Sequence, residues 1–158
     1  MLMFQRLSVN PVHFAAAKQI WQGSEPIGSF ERLAQETLDP GALLHYRIEG
    51  GKDKMGRVRL LCKLEGHMEI ACQRCLGPVE HTIEVDKFFY PVESSERLEQ
   101  IERELALEAD PSVETIEAGH MLDLAALIED EVLLGLPVIP MHPAGACHPP
   151  VEQVLVKE

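Results

Sequence analysis

A chain of 158 residues and 17.6 kDa is about one domain long, and 14 Lys+Arg against 26 Asp+Glu leave a net charge of −12. That charge excludes a protein that coats nucleic acid or anionic lipid through an overall positive field, so any RNA contact must be local. A hydrophobic share of 46% with only 5% aromatics calls for a packed, mostly aliphatic core in a single domain spanning residues 1–158.

At the amino terminus, Met1 to Arg6 lacks the basic start, apolar run and cleavage site of a secretory signal. Asn10 as N-cap, Pro11 at the first helical position and Gly23 as the stop predict a short N-terminal helix. Residues 24–40 mix Pro26, Gly28 and Pro40 with one helical turn at 30–34 and are left without a class.

From Gly41 the hydrophobic period becomes two. Leu44, Tyr46 and Ile48 share one face, with His45, Arg47 and Glu49 on the other. Gly50 to Gly56 reads as a turn cluster, and the next strand sets Val58, Leu60, Cys62 and Leu64 inward against Arg57, Arg59 and Lys63. A third run through Met68, Ile70 and Cys72 turns at Cys72-Gln73-Arg74-Cys75-Leu76-Gly77-Pro78, and a fourth returns from Val79 to Tyr90. The expected fold is therefore α+β: an antiparallel meander of four or more strands, or a partial barrel, with a short N-terminal helix and a C-terminal helix as cover.

Segment 93–117 carries nine acids against Arg97 and Arg103, a net of −7. It reads as an acidic, mobile insertion held by little, with a weak surface helix through Leu98, Ile101 and Leu105 as the alternative. Asp123 then caps LAALIEDEVLLG, whose Leu124, Leu127, Ile128 and Leu134 are expected to cover the open sheet face. Prolines 137, 140, 143, 149 and 150 make the end of the chain an extended strap over 141–158. The apolar stretch Val132–Met141 is about half the roughly 20 residues a membrane span needs. Four cysteines are too few for a disulfide scaffold, so the expected location is cytoplasmic, with no membrane partner.

Three patterns could carry chemistry. Cys72-x-x-Cys75 on a strand-to-strand turn has the spacing of half a zinc site, and His142 with Cys147 is the second pair of better geometry; the competing reading is ordinary reduced thiols with no cofactor. Arg47, Lys52, Lys54, Arg57, Arg59 and Lys63 lie within 17 positions on the expected wet face and tip of the first hairpin, as RNA-contact candidates. Against them stands simple solvation, and no aromatic residue interleaves with them in sequence to stack a base. Glu129, Asp130 and Glu131 read as a solvated helix face, with a docking patch for a protein partner as the alternative. No catalytic constellation or phosphate-binding loop is present, so no enzymatic activity is expected.

The order of CQRCLGPVEHTIEVDKFFYPV, then DLAALIEDEVLLGLPVIPMH, then Cys147 resembles the bacterial large ribosomal RNA subunit accumulation protein family (YceD-like), from Asn10 to about Cys147. The resemblance implies a non-enzymatic factor that supports synthesis, processing or stability of large-subunit (23S) ribosomal RNA during ribosome biogenesis. Its partners would then be that RNA or a precursor particle, together with a basic ribosomal protein. An acidic chaperone or adaptor for such a protein, with no RNA contact, is the alternative. Cys72, Cys75 and Cys147 align with the family's cysteine positions, but a fuller second cysteine pair that some relatives carry is lacking here.

Overall fold

The computed structural model describes residues 7–147 except 109, 111 and 118–120. The first six residues and the part of the strap beyond Cys147 therefore lie outside the described residues. A five-stranded sheet in the order β2-β3-β4-β5-β6 organises the chain: β2 (Ile20–Pro26), β3 (Leu43–Lys52), β4 (Val58–Ala71), β5 (Pro78–Val92) and β6 (Val113–Glu117). The first four run antiparallel, and β6 joins parallel to β5 after the helix α3 (Ser95–Ala106). The sheet is open, as the α+β expectation allowed, and does not close into a barrel.

The strand boundaries differ from the expected ones for a physical reason. Leu60, Cys62, Leu64, Met68 and Ile70 are all buried at even positions. The alternation never breaks at Gly66, so the second and third expected strands are one 14-residue strand, β4. Gly50 and Gly51 belong to β3 rather than to a turn. A Cβ on Gly50 would sit 2.7 Å from Ala15 Cα, so this glycine lets helix α1 (Pro11–Ala16) lie directly on the strand.

Helix α1 starts as predicted, with Asn10 Oδ1 accepting the His13 N–H at 3.0 Å. It stops six residues before the expected Gly23 boundary, because Lys18 turns left-handed at φ 55° and Ile20 and Trp21 are taken into β2 opposite Glu49 and Ile48. β-Branched and aromatic side chains fit a pleated, half-buried surface better than a helix exposed on one side. The unclassified residues 24–40 supply a 3-10 turn (Ile27–Ser29) and the helix α2 (Glu31–Ala34).

One sheet face is covered by α1, α2 and the C-terminal helix α4 (Leu124–Gly135), which bury Phe14, Ile27, Phe30, Leu33, Leu124 and Ile128 against Leu44, Ile48, Leu60 and Leu64. Each fully buried aliphatic side chain contributes about 1.5–3 kcal/mol. Asp123 Oδ1 caps α4 by accepting the Ala126 N–H, and a small ribbon of β1 (Ser8–Val9) with β7 (Leu122–Asp123) ties its start to the amino terminus. Leu134, expected to cover the sheet, is 74% exposed, and Val132 points inward instead. The acidic segment is not a structureless insertion: α3 lies on the opposite sheet face, where Ile101 packs on Tyr90 and Val92 in a second, smaller core. Its amphipathic spacing is enough to cover aromatic residues that only β5 could supply.

Candidate metal centre and charged surfaces

The turn between β4 and β5 is shaped by its own backbone. The Cys72 N–H donates to the Gly77 carbonyl and the Leu76 N–H to the Cys72 carbonyl, both at 2.9 Å, while Leu76 adopts φ 62°. The residues after α4 return to this turn in extended form. The Gln73 N–H donates to the Pro140 carbonyl at 2.8 Å, and Arg74 Nη2 donates to the His142 carbonyl at 2.9 Å. Gly145, at φ 82°, then turns the chain back so that Cys147 faces Cys72.

The result is a group of four ligand atoms from Cys72, Cys75, His142 and Cys147, all within 4.8 Å of one another. Cys72 Sγ lies 3.9 Å from Cys147 Sγ, and Cys75 Sγ lies 3.4 Å from His142 Nδ1. A tetrahedral ion with sulfurs at about 2.3 Å and a nitrogen at about 2.0 Å needs edges of about 3.8 and 3.6 Å respectively, so the group fits one. His142 Nε2 is 2.7 Å from the Pro78 carbonyl, which can only accept. Nε2 therefore carries the proton and Nδ1 presents its lone pair to the thiols, the second-sphere arrangement that orients a metal-bound imidazole.

Loss of water works to raise the Cys72 thiol, but N–H groups of Cys75, His142 and Arg74 outweigh it and bring the pKa down to about 5. Cys147 is shifted upward by burial and by the two neighbouring thiols. Both partners expected from the far end of the chain are thus brought to the knuckle. Cys62, by contrast, is a core thiol, pushed up to about 12 by burial.

The basic candidates divide into two groups. Lys52, Lys54 and Lys63 are exposed and carry no ion pair among the described residues. Arg47 lies opposite Lys63 in the β3–β4 register, but its guanidinium is shared between Glu49 at 3.2 Å and Gln22 at 2.6 Å. Arg59 stacks 3.8 Å from the centre of the Phe88 ring and donates to Tyr90 Oη. That ring is the aromatic neighbour missing from the basic stretch itself; it arrives from β5, two strand positions away in register, and no local pattern could have disclosed it.

Arg57 is the exception and corrects the expectation of a solvated wet face. Its side chain is only 9% exposed, and it bridges Asp53 at 2.6 Å, Glu108 at 2.7 Å and Glu104 at 3.2 Å. Asp53, itself 6% exposed, also accepts the N–H groups of Met55 and Arg57 and the Tyr90 hydroxyl, each at 2.9 Å. Burial pushes its carboxyl up, but those donors outweigh it and hold the pKa below the usual 3.8. Stability linked to Asp53 is therefore complete above the unfolded value of 3.8 and is lost as pH falls through the lower folded one. On acidification from pH 7 to pH 3, the wild type is expected to lose more urea stability than Asp53→Asn; equal losses would contradict this role.

Glu129 and Glu131 correct the reading of a solvated acidic helix face. They are 1% and 6% exposed. Glu129 accepts the Arg32 N–H at 2.7 Å, and Glu131 pairs with Lys87 at 2.9 Å; Asp130 is half exposed and bonded to Arg32 Nη1 at 2.7 Å. All three serve the fold before any partner. A helical wheel carries the signal: Glu129 falls four positions after Ala125 and three before Val132, inside the buried stripe. Lys87 in turn also bridges to Glu114 of β6 at 2.8 Å.

A model of the family described as large ribosomal RNA subunit accumulation protein YceD matches residues 60–156. The chain belongs to this family. The YceD match takes in β4, β5, α4 and all four ligand residues of the knuckle. A YceD relative from Haemophilus influenzae, named large ribosomal RNA subunit accumulation protein, is 26% identical over 141 residues, covering 89% of this chain and 78% of the relative. No solved structure matches. Among the described residues, no helix is long and apolar enough to cross a membrane.

Proposed function

We propose that the protein is a cytoplasmic, non-enzymatic factor that supports synthesis, processing or stability of large-subunit (23S) ribosomal RNA during ribosome biogenesis. Membership of the YceD family carries this reading. Cys72, Cys75, His142 and Cys147 hold one zinc ion that fastens the strap to the β4–β5 turn; with four protein ligands the coordination sphere is closed and the role structural. Ribosomal RNA, or its precursor particle, is met at the β3–β4 tip by Lys52 and Lys54 and on the outer sheet face by Lys63, with Arg47 and the Arg59–Phe88 stack beside it.

The test reverses charge only where the fold does not use it. A tagged Lys52→Glu/Lys54→Glu/Lys63→Glu variant is expected to recover about tenfold less large-subunit precursor than wild type, with a shallower dependence on salt, because three phosphate contacts are gone. Unchanged thermal stability would show that the loss is one of binding. The second reading, an acidic adaptor for a basic ribosomal protein, is favoured by the internal commitment of Arg57 and the charge of −12. It predicts that particle recovery ignores the three reversals.

A further inference from the structure

Strand β6 ends the sheet, and among the described residues nothing pairs with its outer edge. The Phe88 N–H donates to the Ser112 carbonyl at 2.8 Å, so in this parallel ladder the even-numbered residues of β6 turn their backbone groups toward β5. Val113, Thr115 and Glu117 turn theirs outward. A free row of donors and acceptors is a template for another strand, and proteins commonly blunt or cover it.

Here the edge is flanked by a groove on each face. On the α4 side, a cavity of about 360 Å³ is lined by Phe89, Ile116, Leu127, Leu133 and Leu134 together with Glu114, Asp130 and the buried Glu131. On the α3 side, a cavity of about 440 Å³ is lined by Glu102, Leu105, Asp110, Val113 and Thr115. Five carboxylates thus surround one strand edge, and Lys87 is the ammonium set among them. Leu134, exposed at the end of α4, is explained as a groove wall rather than as stray surface.

We infer that the outer edge of β6 is a docking site for an extended, basic segment of another protein, added as a sixth strand with alternate side chains in the two grooves. Period-two alternation would send an apolar residue into the leucine-lined groove and the next, a lysine or arginine, to Glu102 and Asp110. Main-chain bonds to Thr115 and Glu117 supply the register, while the acids select a cationic strand and repel phosphates. The identity of the partner as a basic ribosomal protein rests on the proposed role in subunit assembly; the docking geometry does not.

The test uses the full chain, a fluorescent peptide of alternating lysine and valine, and a glutamate–valine peptide as its counterpart. Binding of the basic peptide is expected, together with amide-exchange protection at Thr115 and Glu117 and no binding of the acidic one. Thr115→Pro removes an outward N–H that β5 does not use, and Leu134→Glu closes the apolar groove; each is expected to weaken binding about tenfold or more. Peptide binding that survives both substitutions would be charge adhesion and would overturn the inference. So would amides at Thr115 and Glu117 already protected in the free protein, since the edge would then be covered by this chain's own residues or a second copy. Neither variant alters Lys52, Lys54 or Lys63, so lost peptide binding with intact precursor recovery separates this inference from the RNA reading.

Discussion

Replacing Arg57 with alanine is expected to destabilise the protein by about 3–5 kcal/mol, the usual range for removing one partner of a buried ion pair. The magnitude comes from what stays behind. Asp53 would remain 6% exposed with its strongest counter-charge gone. The Tyr90 hydroxyl and two backbone N–H groups cannot alone compensate a buried carboxylate. Glu104 and Glu108, at 42% and 49% exposure, are well solvated, and their bridges to Arg57 add less than about 1 kcal/mol each. They matter by position, because both stand at the end of α3 and pin that helix to the β3–β4 turn. Urea denaturation should therefore show the full loss, and amide exchange should show α3 opening first. Arg57→Lys keeps the charge but not the three-way fork and should fall between the two. A variant as stable as wild type but deficient in precursor recovery would return Arg57 to the RNA surface.

Replacing Cys72 with serine is expected to abolish stoichiometric zinc in the purified protein and to free the strap. Removing a ligand from a closed tetrahedral site leaves three, and the thiol lost is one brought down to about 5, so that it meets a metal as thiolate at neutral pH. Where free zinc exceeds the dissociation constant about a thousandfold, the ion stabilises the folded form by about 4 kcal/mol, so chelation should lower the melting temperature of wild type and leave Cys72→Ser unmoved. The imidazole ligand offers a finer measurement. Removing the imidazole with His142→Ala should cost more zinc affinity than His142→Cys, which restores a ligand in the manner of a fourth thiolate. Metal analysis of wild type that finds no zinc or other divalent ion would refute the site.

The parts of the molecule legible in the sequence are those whose signal is local. The alternation of Leu44, Tyr46 and Ile48 and the caps at Asn10 and Asp123 each specify their element within a few residues. The pairing of Cys72 and Cys75 with His142 and Cys147 was legible for a different reason: near the carboxyl end only His142, Cys147 and His148 have the right donor type, and the adjacent pair Cys147–His148 is poorly placed to share one ion. What stayed hidden depends on partners far away in sequence. Glu129 and Glu131 look solvated until Arg32 and Lys87 arrive from elements 97 and 44 residues away. Arg57 looks like a phosphate contact until α3 brings its carboxylates. The edge strands β2 and β6 carry weak patterns, because each is held by one neighbour and needs only half the hydrophobic signal.

The hairpin of β4 and β5 joins the two fastenings. Its turn holds the cysteine knuckle, and its open end, some 14 residues of strand away, holds Asp53, Arg57 and the foot of α3. At about 3.3 Å per residue, the two ends stand roughly 45 Å apart. Each end has its own small set of contacts and little packing in common with the other, which is the condition for separate cooperative opening. The molecule should accordingly breathe as two independent leaves on one rigid spine: acid loosens the α3–β6 leaf, and metal withdrawal loosens the strap, each without the other.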